Sequence, residues 1–140
     1  PAVVYSYIKT FRKKIHSEIR RAFEIARALG GNYELKIETG TPPMINSAEA
    51  SALIETVAID LIGKQNILPW KDELGAEDFG CYLEHASGAM FALGTWSTRY
   101  KCQLHSADFD LDEDSLATGA AILAETALRY LRGGFTRTKK

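Results

Sequence analysis

Residues 103–131 read QLHSADFDLDEDSLATGAAILAETALRYL. From Leu116 onward, apolar residues at 116, 120, 123, 127 and 131 recur at a regular interval. Steps of three and four place them on one side of a helix. The spacing predicts a helix opening at Asp112 and closed by Gly133-Gly134, with its acids at the positive end of the helix dipole. The acidic run DFDLDEDS is not a calcium loop, because it lacks a Gly at the sixth position and a Glu at the twelfth. A single imidazole, His105, remains just ahead of the helix. It lies in the loop that follows an apolar stretch between Gly88 and Gly94, where functional side chains tend to sit. Alone, such a His is either a ligand or an ordinary loop residue.

Working outward, AVVYSYIK at residues 2–9 is β-branched, aromatic and roughly alternating, which predicts a strand. Ile15, Ile19, Ala22, Ala26 and Leu29 follow at helical spacing, and Gly30-Gly31 ends that helix. NYELKIET, residues 32–39, places Tyr33, Leu35 and Ile37 on one face and predicts a second strand. GTPPMIN then interrupts, since two prolines deny the chain both a helix and a central strand. Asn46 with Glu49 three residues on resembles a capping box. Ala50, Leu53, Ile54, Val57, Ala58, Leu61 and Ile62 form a broad apolar stripe stopped by Gly63. NILPW is expected as a brief strand, AEDFGCYLEH as a short helix, and AMFAL as a buried strand. A domain joint is expected at residues 41–45, between a short α+β piece and an α/β piece.

The 140-residue chain has 46% hydrophobic and 25% charged residues, ordinary globular values, with a net charge of -1. No apolar run reaches the length of a membrane span, and no signal-peptide pattern is present. Two cysteines, Cys81 and Cys102, make no disulfide framework, so a reduced cytoplasmic setting is expected. Arg12, Lys13, Lys14, Arg20 and Arg21 gather early; they are a solvated helix face or a patch for nucleic acid or phosphate. Near-neutral charge argues against nucleic acid, and a phosphate patch would show steep salt dependence.

The other residues with chemical potential are few. His16 lies among basic residues on the first helix, and His85 follows Glu84 at a helix end that suits a partly charged imidazole. In GAEDF, residues 75–79, Glu77 and Asp78 either cap the short helix or line a site. There is no G-x-S-x-G, no Walker loop and no G-x-G-x-x-G. Residue chemistry by itself therefore names no reaction.

GAEDFGCYLEHASGAMFALGT followed by LHSADFDLDEDSLATGAAILAETALRYL resembles the C-terminal part of the di-metal amidohydrolases and carboxypeptidases. That group includes hippurate hydrolase, N-acyl-amino-acid amidohydrolases and auxin-conjugate hydrolases. Gly75, Glu77, Asp78, Phe79, Gly88, Leu93, Gly94, Leu104 and His105 carry the likeness. Upstream, Pro42, Pro43 and Asn46 match the family's joint, with Thr39 and Thr41 where Arg and Tyr are common. YIKTF is similar to the family's G-T-x-R-T strand, with Lys9 in place of Arg.

The resemblance implies an α/β fold. Residues 1–44 would be the end of a satellite domain used for dimerisation and as a lid. Residues 45–140 would be the second half of a metallopeptidase-like catalytic domain. It implies two divalent ions per complete site, zinc or manganese, with His105 as a metal ligand and Gly75, Glu77 and Asp78 lining the site. A metal-activated water would cleave the amide bond of an N-acyl amino acid or small peptide, with a carboxylate base relaying the proton. The family's remaining metal motifs and its Glu-Glu pair belong to the first half of the catalytic domain. One imidazole cannot build a site that needs three or four ligands. The 140-residue chain alone is thus expected to be inactive, with a missing N-terminal catalytic half as partner and a homodimer implied through the satellite domain. The alternative is a non-catalytic remnant or interaction module of the same fold.

Overall fold

In a computed structural model, residues 9–69, 77–96 and 104–134 are described. The contacts divide the chain into two units, Pro1–Ile45 with Asp72–Ser87, and Asn46–Lys71 with Gly88–Lys140.

The first unit contains helix α1, Lys9–Ala28, and the short helix α3, Phe79–Leu83. Helix α1 ends as Gly30-Gly31 predicts. Gly30 takes φ +81°, its N–H donates to Arg27 O at 3.0 Å, and Gly31 N–H donates to Ala26 O at 2.8 Å. That pair of bonds is a Schellman end, which needs the left-handed residue that Gly supplies. Ile15, Ile19 and Ala26 are half-buried, whereas Ala22 and Leu29 are exposed. Phe23 meets Tyr33 with ring centroids 5.2 Å apart, and the Arg27 guanidinium lies 5.2 Å from the Tyr33 ring centre. Arg12 leaves the expected basic face: it donates to Thr41 O at 2.8 Å, at the Pro42-Pro43 segment. That segment also meets α3. A Cβ on Gly80 would lie 2.6 Å from Pro42 O, so only Gly allows this approach.

The second unit packs helix α2, Ala48–Ile62, on helix α4, Asp114–Arg129. Val57, Ala58 and Ile122 form its buried core, with Leu53, Ile54, Ile67 and Phe91 packed around them. Gly119 brings α4 close to Leu93; a Cβ there would meet Leu93 Cδ2 at 2.8 Å. A 3₁₀ turn, Lys64–Asn66, follows α2, and a π turn, Tyr130–Gly134, follows α4. Gly133 adopts φ +87° and breaks the helix at the predicted place.

Three expectations are corrected. First, no strand is present among the described residues, so NYELKIET, AMFAL and the described part of NILPW form no ladder there. A strand exists only through a paired neighbour, and the described residues supply none. The period-two pattern is nonetheless real: Tyr33, Leu35 and Ile37 are half-buried between exposed neighbours. Residues 2–8 of the first expected strand lie outside the described residues. Second, the N-cap of α2 is Ser47, whose Oγ accepts from Ala50 N–H at 3.3 Å. Asn46 does something else: its Nδ2 donates to Met90 O at 2.8 Å and its Oδ1 accepts from Met90 N–H at 2.9 Å. One side chain thereby stands in for the edge of a neighbouring strand. Third, α4 begins at Asp114 and not at Asp112, whose side chain and carbonyl accept from Asp114 N–H and Ser115 Oγ just ahead of it; α4 packs through Gly119 and Ile122, and the stripe Leu116, Ala120, Leu123, Ala127 and Leu131 faces outward.

Candidate functional site

His105 is the only non-glycine residue at positive φ among the described residues, at φ +67°. His is among the non-glycine residues found there more often than most, yet it still carries the Cβ clash that Gly avoids. The surrounding turn holds the shape. Phe109 N–H donates to Ser106 O at 3.2 Å, and the Ser106 hydroxyl donates to the Asp108 carboxylate. That bond and a backbone one hold the Asp108 carboxyl below its ordinary value of 3.8. The turn's exit is anchored where Asp112 N–H donates to Thr95 O at 3.0 Å. Asp112 Oδ1 accepts from Asp114 N–H at 3.3 Å, and Asp112 O accepts from Ser115 Oγ at 2.6 Å. The acids around His105 are therefore turn and helix-start residues. The imidazole is exposed at the mouth of this loop.

Glu77 and Asp78 lie in the first unit, at the start of α3. Glu77 Oε1 accepts from Phe79 N–H at 3.3 Å, so the capping alternative is the geometry present. Asp78 makes no side-chain cap bond, and its carboxylate is exposed. Gly75 falls outside the described residues. Among the described residues, no group of three His, Cys, Asp or Glu side chains is placed to hold a metal ion. His16 is half-buried on α1, and His85 is exposed, its N–H donating to Tyr82 O at 3.0 Å. No helix among the described residues is long and apolar enough to cross a membrane.

One cluster was not anticipated. Arg129 Nη1 donates to Asp60 at 2.7 Å and Arg129 Nε to Glu125 at 2.8 Å. Glu125 first, then Asp60, raises the guanidinium above its ordinary value. The i,i+4 spacing of Glu125 and Arg129 was the available signal; the partner on α2 was not. Its role is to tie α4 to α2.

The profile of peptidase family M20/M25/M40 matches residues 3–129. The chain belongs to this family. A Synechocystis protein named as a hydrolase is 32% identical over 132 residues, which are 88% of this chain and 33% of that protein. An IAA-amino acid hydrolase of Arabidopsis thaliana is 36% identical over 92 residues, 64% of this chain and 20% of that enzyme. A thermostable carboxypeptidase of Saccharolobus solfataricus is 29% identical over 131 residues, covering 91% and 33% of the two chains. This M20-family chain thus spans a third or less of each of these relatives. No solved structure matched.

Proposed function

We propose that the chain is the C-terminal portion of a metal-dependent amidohydrolase that cleaves the amide bond of an N-acyl amino acid or small peptide. Residues 45–140 would be the second half of an α/β catalytic domain, and residues 1–44 the end of a satellite domain that dimerises. The observation that carries this is the family match across residues 3–129, inside which His105 is held at φ +67° between an apolar segment and α4. A residue fixed against its own preference marks a place where local stability has been given up for position.

By themselves the described residues do not fit a divalent ion, because no three ligand side chains converge. His105 is therefore proposed as one ligand of a site completed by other parts of a family-length polypeptide, with zinc or manganese as the ions. The 140-residue chain alone is inactive on this reading. The exposed thiol of Cys81 suits a reducing, cytoplasmic compartment.

The test is hydrolysis of N-acetyl and N-benzoyl amino acids by the polypeptide encoded by the whole reading frame, with metal content measured alongside. Its His105→Ala variant should lose about 100-fold or more in activity, together with bound metal. Turnover by the pure 140-residue chain would refute the divided site. A second reading, a non-catalytic module of the same fold, draws on the same lack of converging ligands among the described residues. Absence of both turnover and bound metal in the complete polypeptide would favour it.

A further inference from the structure

Helix α4 carries no charge from Ser115 to Ala124, so for almost three turns it is apolar or small on every side. Such a helix is ordinarily covered all round. Here only Gly119 and Ile122 are buried within the second unit. Leu116, Leu123 and Leu131 are 52%, 61% and 78% exposed. Leu116, Ala120, Leu123 and Ala127 fall within an arc of about 60° on α4, and Leu131 follows in the π turn. The segment at residues 89–93 has the same character. Phe91 and Leu93 turn toward the helices, while Met90, also apolar, is 38% exposed. Both elements thus have one apolar side packed and another open, whereas a layered domain covers both.

We propose that the stripe of Leu116, Ala120, Leu123 and Ala127 on α4, continued by Leu131 in the π turn, seats an apolar layer supplied by the remaining two-thirds of a family-length polypeptide. This rests on the reading of the chain as part of a longer hydrolase. Relatives matched over 131–132 residues are about three times that long, since the match is 33% of each. They carry enough additional chain to build such a layer. Covalent connection also holds that chain at high effective concentration. A second copy docking on α4 is a poorer fit, because it would cover one stripe. It would leave the other apolar sides of residues 115–124 and the outward side of Met90 exposed.

Thiol labelling tests this. In a Cys81→Ser, Cys102→Ser background of the whole-reading-frame polypeptide, Leu123→Cys should react with maleimide about 100-fold more slowly than the exposed control Lys64→Cys. Both should be read on the monomer. The 140-residue chain should lose that protection. Ala120→Cys changes volume little and gives the same readout if Leu123→Cys fails to fold. Four outcomes overturn the proposal. They are equal labelling at both positions, protection that disappears on dilution to monomer, full protection in the monomeric 140-residue chain, and a reading frame containing no further chain. Protection without hydrolysis would reject the functional reading and leave the docking surface standing. Hydrolysis without protection would do the reverse.

Discussion

At the scale of single residues, position and preference conflict at His105. A left-handed residue with a Cβ costs about 1 kcal/mol or more relative to Gly. His105→Gly should therefore stabilise the fold by about 1 kcal/mol in urea denaturation while removing the proposed ligand. The sequence singled out His105 by its place between an apolar segment and a helix start. Its φ is not legible, because Leu-His-Ser-Ala contains no Gly or Asn and His only weakly favours the left-handed region. The neighbouring Asp108 has a sign that can be worked out. Its folded carboxyl titrates below 3.8, so the stabilisation it gives is present above that pH and is lost as pH falls through the lowered value. Ser106→Ala should return the Asp108 titration, followed by NMR, toward 3.8. Gly80 offers a steric test. Gly80→Ala drives a methyl against Pro42 O, a backbone atom that cannot swing aside, and should cost roughly 1–3 kcal/mol. A normal urea midpoint for that variant would contradict the close approach.

Among elements, the sequence foretold extent better than orientation. The stops of α1 and α4 lie where Gly30 and Gly133 put them, since a positive φ is a local property. The packed face of α4 is not legible in the sequence for a physical reason: with no charge between residues 115 and 124, periodicity does not distinguish one side from another. Gly119 decides it, by letting Leu93 approach. The start of α2 was displaced by one residue because Ser47 and Asn46 are both good caps, and Asn46 is recruited by Met90. Asn46→Ala should cost about 1–2 kcal/mol and speed hydrogen exchange at the Met90 amide. Unchanged exchange there would mean that the Asn46 amide does not hold the segment. Glu77 shows how a site was only half legible: an acid before a short helix caps it or serves a ligand, and sequence alone does not separate the two.

At the scale of the whole molecule, the main fact is how few of the described residues are deeply buried. Among the described residues the buried hydrophobic core is Val57, Ala58 and Ile122. A core of this size offsets little of the conformational entropy lost on folding. The 140-residue chain should unfold over a broad denaturant range and bind the dye ANS under native conditions. The whole-reading-frame polypeptide should show a sharp transition and little dye binding. A sharp, dye-silent transition in the 140-residue chain would show that it is self-sufficient. The absence of strands among the described residues follows from the lack of a paired neighbour there, and such partners cannot be read from one element at a time. Asn46 also bears on chemical lifetime. Asn-Ser sequences age by attack of the Ser nitrogen on the Asn side-chain carbonyl, releasing ammonia. Here the Ser47 N–H is engaged by Gly88 O at 2.9 Å, and both ends of the Asn46 amide are held by Met90. The folded chain thereby suppresses its own deamidation, and each unfolding exposes that bond to it. Once Asn46 becomes Asp, the side chain no longer donates to Met90 O, so the damage loosens the clamp that had delayed it.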